Sequence, residues 1–141
     1  MLVRLIYAST ASELVNHEMI EKILEVSRKN NPMNGITGVL CYGDNIFVQA
    51  LEGGREQINS LYGRLQQDAR HSKLILLDYS EIEARQYSGW TMSKIRLDRI
   101  NLSLLLKYSA TPKLNPYAVS GNTTVALLEE LAATGCFSSR D

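Results

Sequence analysis

The start of the chain alternates between apolar and polar positions in a way that predicts a strand followed by a helix. Residues 2–9 form a short apolar run with a polar boundary, which is typical of a buried strand. After it, apolar residues recur every three or four positions, as they do on one face of a helix. We expect this helix to begin at a capping box over Thr10–Glu13. It should end at Asn31, because Pro32 disfavours helical backbone in the residue before it.

The pattern beyond Pro32 predicts four strands and one further helix. Two of the apolar runs are separated by Gly43 and Asp44, a pair that favours a tight hairpin turn. The order of elements is then strand, helix, strand, strand, helix, strand, strand. The sequence therefore predicts an α+β, ferredoxin-like βαββαββ sandwich, which is the βαββαβ arrangement with one additional strand. The expected strands cover residues 36–42, 45–52, 73–82 and 90–97, and the expected helix ends near residue 68.

The C-terminal part of the chain predicts two more helices. Apolar residues concentrate in residues 100–108 and 125–131, and prolines and a glycine lie between them. The inner strands of the predicted sheet are apolar on both faces, so both faces must be covered. Since two helices cover one face, we expect a domain over residues 1–97 and a C-terminal two-helix extension over residues 98–141 that packs on the other face.

Composition and charge narrow the function classes. The 141 residues suit one domain, and 15 basic residues balance 15 acidic ones. This balance argues against a nucleic-acid-binding surface and against a polybasic membrane anchor. Neither of the two cysteines has a neighbour at metal-ligand spacing, which fits a reducing compartment. Because the N-terminus lacks a signal-like segment and no apolar run is long enough to span a membrane, we expect a cytoplasmic protein.

One polar residue stands out on an inner strand of the predicted sheet. Gln49 shares a face with its apolar neighbours Phe47 and Leu51. A buried amide without a partner costs about 1–3 kcal/mol, so a partner is expected. Tyr7 has the same facing on the neighbouring strand, and its hydroxyl also needs a partner when buried. The residues alone leave two interpretations open: a pair that only fixes strand register, or the polar part of a ligand site.

Four segments of the chain have the order and spacing of a known family's motifs. They are Arg4–Ser9, Asn30–Gly38, Phe47–Gly53 and Trp90–Met92. Through these segments, residues 1–97 resemble the BLUF domain, whose name stands for sensors of blue light using flavin. The short tail is similar to that of the stand-alone members. The resemblance implies a flavin cofactor, with FAD expected and FMN as the alternative, because the residues at the phosphate end are generic cations.

The resemblance also implies roles for individual residues. The flavin ring would lie between the two helices beside Tyr7 and Gln49, and the tail would pack on the opposite sheet face. Light would draw an electron and a proton from Tyr7 through Gln49, the glutamine would rearrange, and the flavin absorption would shift slightly to the red. The resemblance also places Asn30 and Asn31 against the ring, and Arg64, Asp68 and, less directly, Arg28 and Lys29 near the ribityl and phosphate end. Trp90 and Met92 are expected on one strand face and to respond to the glutamine, and either of the two can lie near the flavin in this family.

The same resemblance implies a photoreceptor and not an enzyme. Stand-alone members commonly form dimers or rings, so a homo-oligomer is expected. The light signal would leave through the C-terminal helices and reach a separate signalling protein. A cyclic-dinucleotide enzyme and a transcription regulator both suit that position.

Rival functions on this topology lack their characteristic residues. An acylphosphatase-like enzyme needs an arginine in the loop after the first strand, and Ser9–Ser12 has none. His17 and His71 have no partners at catalytic or metal-ligand spacing, and we expect both at the surface. An RNA-recognition module would expose aromatic residues on the inner strands, where this chain has mainly aliphatic ones. The alternative that stays open is a non-photoactive ligand-sensing or adaptor domain on the same fold.

Overall fold

A five-stranded sheet forms the centre of the computed structural model, which describes residues 1–12 and 16–133 of the chain. Two helices cover one face of the sheet, and a C-terminal helix covers the other. In chain order the elements are β1 (Leu2–Ala11), α1 (His17–Asn30), β2 (Thr37–Gly43), β3 (Ile46–Gly54), α2 (Arg55–Gln66), β4 (His71–Ile82), β5 (Ser93–Arg96), α3 (Leu102–Tyr108) and α4 (Gly121–Ala133), with single 3-10 turns at Pro32–Asn34 and Leu97–Arg99.

The strands follow the order β4-β1-β3-β2-β5 across the sheet. Neighbours are antiparallel except β2 and β5, which run parallel to each other. The first four strands have the order and directions of a ferredoxin-like sheet, and β5 is the additional strand at one edge. The predicted α+β architecture with C-terminal helices is therefore confirmed.

Side chains of the inner strands alternate between two apolar layers. Leu5 and Tyr7 of β1 belong to the layer under α1 and α2, which we call the helix-side layer. Ile6 and Ala8 belong to the opposite layer under α4, which we call the tail-side layer. Burial of a leucine side chain contributes about 1.5–3 kcal/mol, so the apolar face of α4 is enough to hold it on the sheet. The buried leucines of α4 are Leu127, Leu128 and Leu131.

The first helix begins later than the capping box predicts. β1 continues through Ala11, and Thr10 is paired with β3, so its backbone is extended and does not cap a helix. Asn16 caps the helix, because its side-chain oxygen accepts a hydrogen bond of 2.8 Å from the Met19 N–H. Glu13, the other half of the predicted box, lies outside the described residues.

The turn of the β2–β3 hairpin lies one residue beyond its predicted position. Gly43 is the last residue of β2, and Asp44 and Asn45 form the turn with φ angles of 51° and 63°. Both angles lie in the left-handed region that the commonest two-residue hairpin turn requires. Aspartate and asparagine tolerate this region better than other residues with a side chain, which explains the shift.

The fifth strand is shorter than the predicted run over residues 90–97. β5 covers only Ser93–Arg96, where it pairs with β2. Residues 90–92 therefore belong to the segment that connects β4 with β5, where the backbone is not bound to the alternation of a strand. We call residues 83–92 the β4–β5 loop.

The docking of α4 should depend on the absence of a side chain at Gly121. A Cβ there would overlap the carbonyl oxygen of Leu77 in β4. Gly121→Ala should lower the free energy of unfolding by about 1–3 kcal/mol, as overpacking of a close contact does. The matched control is Gly63→Ala in α2, where a Cβ meets nothing within 4 Å and should stabilise by about 0.5–1 kcal/mol. Urea unfolding measures both, and a Gly121→Ala protein as stable as the wild type would contradict the docking.

Candidate functional site

Two buried polar side chains meet in the helix-side layer. Tyr7 of β1 and Gln49 of β3 are Cα partners in the antiparallel ladder. The Tyr7 hydroxyl donates a hydrogen bond of 2.6 Å to Gln49 Oε1, and the two residues are only 3% and 5% exposed. This distance is at the short end for an O–H···O bond. The partner that strand parity predicts for Gln49 is therefore present.

Burial controls the acidity of Tyr7. Removal from water raises the pKa of its phenol above the ordinary value, and the negative charge of Asp68 and the neighbouring Tyr62 raise it further. Arg70 acts in the opposite direction but is the smallest of these influences. Tyr7 therefore keeps its proton at neutral pH and is the donor in its bond to Gln49.

The other half of the Gln49 amide contacts a methionine. Gln49 Nε2 lies 3.5 Å from Met92 Sδ, with the N–H directed at the sulfur. A thioether accepts hydrogen bonds weakly and cannot donate them. The amide is therefore oriented from both sides, because its oxygen receives the hydroxyl proton and its nitrogen faces an atom that can only accept.

Trp90 and Met92 do not share a face, which corrects the expectation from the sequence. Met92 belongs to the helix-side layer with Tyr7, whereas Trp90 belongs to the tail-side layer. The Trp90 ring stacks on Tyr87 with centroids 5.8 Å apart and an angle of 27° between the planes. The expectation assumed a strand over these residues, but they lie in the β4–β5 loop, which passes from one layer to the other within two residues.

A cavity opens beside the Tyr7–Gln49 pair, between α1 and α2. Its floor is formed by side chains of the sheet, and its walls by side chains of the two helices. The charged residues that line it lie in the last turns of α2 and just beyond. The lining residues are Tyr7, Leu40, Phe47 and Gln49 from the sheet, Ile23, Val26, Ser27, Asn30 and Asn31 at α1, Leu61, Arg64 and Leu65 of α2, and Asp68, Arg70 and His71 after it.

Both predicted asparagines lie at this cavity. Asn31 caps the C-terminus of α1, where its backbone N–H donates to Ser27. The residue is only 6% exposed, yet within residues 1–12 and 16–133 its side-chain amide has no hydrogen-bond partner. Asn30 is exposed on its outer side and also lines the cavity. The Asn31 amide therefore presents a donor and an acceptor that a ligand would satisfy.

Arg64 and Asp68 both line the cavity, but their side chains bind different partners. Arg64 Nη1 donates to Ser60 at 3.1 Å, while Asp68 receives the guanidinium of Arg70 at 2.6 Å. The hydrogen bonds from Arg70 hold the pKa of the Asp68 carboxyl below its usual range, although partial burial opposes them. Arg64 keeps only a neutral hydrogen-bond partner among the described residues, so its charge is available to a ligand.

Arg28 and Lys29 do not line the cavity. Arg28 Nε donates to the backbone oxygen of Met92 at 3.2 Å, which attaches α1 to the β4–β5 loop. Lys29 is exposed on the surface of α1. Their expected contact with a phosphate group has no support from this geometry.

His71 lies in the site, although the sequence led us to expect it at the surface. Its Nε2 lies 2.6 Å from the carbonyl oxygen of Leu65, and its Nδ1 lies 2.7 Å from the hydroxyl of Ser9. A carbonyl oxygen only accepts, so Nε2 carries the hydrogen and Nδ1 accepts from Ser9. The ring meets Tyr7 edge to face with centroids 6.1 Å apart. The sequence signal that could have placed His71 at the site is the run of polar residues, including Arg70, between α2 and β4.

The site combines an apolar interior, three side-chain amides and a cationic end. This composition is typical of a small-molecule site, where a few polar groups set the orientation of the ligand. It suits a planar apolar ligand with donors and acceptors on one edge and an anionic group at the other end. Across residues 1–12 and 16–133, no cluster of three His, Cys, Asp or Glu side chains could hold a metal ion. No helix of that part of the chain is both long and apolar enough to cross a bilayer.

Comparison with protein families matches residues 2–93 to BLUF, described as sensors of blue-light using FAD. Photoactivated adenylate cyclase subunit alpha of Euglena gracilis is 33% identical over 99 residues, which are 69% of this chain and 10% of that protein. The blue light- and temperature-regulated antirepressor BluF of Escherichia coli is 30% identical over 99 residues, or 69% of this chain and 25% of that protein. The chain thus spans about a tenth of the cyclase subunits that it matches.

Solved structures match over nearly the whole chain. The dark-state structure of BlrB, a BLUF protein, has a TM-score of 0.78 with 31% identity, and the match covers 94% of this chain and 96% of that one. The ground state of BlsA has a TM-score of 0.79 with 33% identity, covering 94% and 88%. BlrP1 of Klebsiella pneumoniae, solved with FMN and cyclic diGMP, has a TM-score of 0.69 with 26% identity, covering 96% and 35%.

The buried phenol of Tyr7 should make stability fall at alkaline pH. Because its pKa is raised in the folded protein, the unfolded chain loses this proton first, from about pH 10 upward. The free energy of unfolding should then fall by up to about 1.4 kcal/mol per pH unit for this group. Tyr7→Phe should reduce that slope in urea unfolding between about pH 9 and 11, while Tyr79→Phe at the surface should not. An unchanged slope in Tyr7→Phe would contradict the burial of the phenol.

Proposed function

Because the chain belongs to the BLUF family of blue-light sensors that use FAD, we propose that it is a photoreceptor in which Tyr7 and Gln49 form the light-driven switch. One observation carries this proposal: the buried hydrogen bond of 2.6 Å between these residues lies at the floor of a cavity between two helices. A pair that only fixed register would need no cavity beside it.

The residues around the cavity fit a flavin. A flavin ring is planar and largely apolar, and one edge carries carbonyl oxygens and an imide N–H. The unpartnered amide of Asn31 offers a donor and an acceptor to such an edge, and Gln49 Nε2 has a second hydrogen beyond the one that faces Met92. Arg64 lines the same cavity and would supply a cation to the charged tail of the ligand. We assign Asn30 to the ring as well, and Asp68 with Arg70 to the ribityl and phosphate end.

The choice between FAD and FMN is a proposal that rests on the comparisons. The family description names FAD, and one solved relative contains FMN. We propose FAD for this chain, with FMN as the alternative. A role for Arg28 and Lys29 at the phosphates rests on the resemblance alone, because neither lines the cavity.

The chain's own residues supply the proton path. When bound, the flavin would supply blue-light absorption and, once excited, an electron acceptor. Tyr7 is protonated because burial raises the pKa of its phenol, so it cannot lose a proton alone at neutral pH. A phenol that has given up an electron is far more acidic, and its proton then passes along the short bond to Gln49 Oε1. Return of the electron and the proton restores Tyr7 and leaves no covalent change.

The lasting change is in the Gln49 amide. An amide places an acceptor and a donor at nearly equal positions, so rotation or tautomerisation exchanges hydrogen bonds with little change of shape. Rotation would bring Oε1 against Met92 Sδ, and two acceptors cannot bond to each other. The N–H contact to Met92 is therefore lost when the amide rotates, and Met92 is the group that registers the switch.

The proposed output route passes through the β4–β5 loop. Met92 lies in the helix-side layer, and Trp90, two residues earlier, packs with the buried leucines of α4 in the tail-side layer. A shift of Met92 is thus connected through the loop backbone to residues 98–133 on the face opposite the cavity. The route is an inference from adjacency.

We further propose that the chain acts in the cytoplasm as a homo-oligomer that signals to a separate protein, and that it is not itself an enzyme. Relatives that share this domain are named as adenylate cyclase subunits and an antirepressor, and BlrP1 was solved with cyclic diGMP. A cyclic-nucleotide or cyclic-dinucleotide enzyme, or a transcription regulator, is the matching class of partner. The alternative function is a non-photoactive ligand-sensing or adaptor domain.

The purified protein should be yellow, and blue light should shift its absorption reversibly to longer wavelength. Gln49→Leu and Tyr7→Phe should still bind flavin but lose the normal shift, because each removes one side of the switch bond. Tyr62→Phe is the control, since its ring lies 6.0 Å from that of Tyr7 without a bond to Gln49. Absorption spectra in the dark and after illumination measure all four proteins. A colourless protein that takes up no added flavin would support the adaptor function instead.

Asn31→Ala should weaken flavin binding without lowering the stability of the flavin-free protein. Its side-chain amide has no partner to lose among the described residues, so only the ligand contact is removed. Loss of such a contact corresponds to about a tenfold weaker affinity. Flavin titration and urea unfolding separate the two effects, and Asn122→Ala on the exposed surface of α4 is the control. Equal affinity in Asn31→Ala and the wild type would remove Asn31 from the site.

A further inference from the structure

Glu52 of β3 attaches the β4–β5 loop to the sheet. The residue is 0% exposed and lies three positions beyond Gln49. Its Oε2 accepts the backbone N–H of Gln86 at 3.0 Å, and its Oε1 accepts that of Tyr87 at 2.7 Å. A buried carboxylate requires such partners, and hydrogen bonds to a charged acceptor are among the stronger ones in proteins. Two consecutive amides of the loop are therefore fixed by one side chain.

A third bond joins the same residue to the loop from the main chain. Arg85 Nη1 donates to the backbone oxygen of Glu52 at 3.1 Å and to Thr37 Oγ1 at 3.0 Å. Three successive loop residues, 85–87, are thus attached to one position of β3. This is the start of the loop segment that leads to Met92.

The contacts beyond Tyr87 extend this attachment toward the switch. The ring of Tyr87 stacks on that of Trp90, and the backbone N–H of Trp90 donates to the backbone oxygen of Tyr87 at 3.0 Å. The backbone oxygen of Trp90 in turn accepts a hydrogen bond of 3.0 Å from the backbone N–H of Gly38 in β2. Two residues later, Met92 Sδ lies 3.5 Å from Gln49 Nε2. The β4–β5 loop is therefore held at several backbone positions between two contacts with β3. The first contact is with the Glu52 carboxylate and the last is with the Gln49 amide.

We propose, on the basis of the photoreceptor function proposed above, that Glu52 is a positioning residue that holds the Met92 thioether at bonding distance from Gln49. Glu52 does not line the cavity, and it faces the opposite side of the sheet from Gln49 because three positions separate them. It acts on the switch only through the β4–β5 loop. Without the hydrogen bonds between Glu52 and the loop, the position of the Met92 thioether would be less fixed. The Gln49 amide would then meet a lower barrier to reorientation in both directions.

The test is Glu52→Gln, which keeps the size of the side chain but replaces one acceptor oxygen by an NH₂ group that cannot accept an N–H. We expect recovery of the dark spectrum after illumination to accelerate roughly threefold to tenfold, with unchanged flavin content. The matched control is Glu81→Gln, an exposed carboxylate of β4 that pairs only with Arg55 among the described residues. If Glu52→Gln recovers at the wild-type rate, the proposal is overturned.

A double-mutant cycle tests whether Glu52 acts through Met92. If it does, Glu52→Gln should change recovery little in a Met92→Leu background, since the thioether is no longer present. A change of equal size in both backgrounds would overturn the route through Met92. Should Glu52→Gln fail to fold, Arg85→Ala removes the third bond at the same end of the loop while the Glu52 side chain stays intact, and a smaller acceleration is expected.

A measurement that does not depend on the response to blue light separates this inference from the photoreceptor function. Trp90 is the only tryptophan of the chain and lies in the loop. Its fluorescence, excited by ultraviolet light in the dark-adapted protein, therefore reports the position of the loop. Glu52→Gln should move the emission maximum to longer wavelength, because the ring is released toward water, and Glu81→Gln should leave it unchanged. A wild-type protein without a light-induced shift refutes the photoreceptor function, while unchanged Trp90 emission in Glu52→Gln refutes the positioning of the loop.

Discussion

The hydrogen bond between Tyr7 and Gln49 exists only where two inner strands are shielded from water on both faces, and much of the architecture satisfies that condition. β1 and β3 must be adjacent and in a register that sets these two residues opposite each other. The helices on one side exclude water from the pair but leave a cavity beside it. α4 closes the other side, because apolar residues between the polar ones point that way. The strand order, the two apolar layers and the C-terminal helix therefore serve one polar contact.

Strand parity is the part of the site that the sequence encodes most directly. A period of two and a known strand order are enough to place Tyr7 and Gln49 on the same face of neighbouring strands, and the same reasoning predicts the two apolar layers. The register that sets the two residues directly opposite each other comes from the structure. The placement of Trp90 and Met92 fails by the same rule, since parity applies only within a strand and these residues lie in a loop. The loop conformation is determined by Glu52 and by backbone partners that are distant in sequence, and no local pattern reports them.

Competition between partners explains the other differences. Thr10 has the side chain of a helix cap, but pairing with β3 uses its backbone, and Asn16 caps the helix instead. Asp68 follows Arg64 by four residues, but α2 ends at Gln66, and the Asp68 carboxylate binds Arg70 instead. Helical spacing describes only neighbours on the same helix, so a residue that approaches from the next element is invisible to it. His71 reaches the site in this way, from the first position of β4.

The odd separation of Gln49 and Glu52 has a consequence for how the chain can vary. One strand presents an amide to the cavity on one face and a carboxylate to the loop on the other, because three positions separate them. A slip of β3 by one residue would turn the carboxylate to the cavity face and the amide away from Tyr7. Insertion or deletion of a single residue between them would place both polar groups on the same face. The number of residues between Gln49 and Glu52 therefore cannot change by one without moving one of the two polar groups to the wrong face of the sheet.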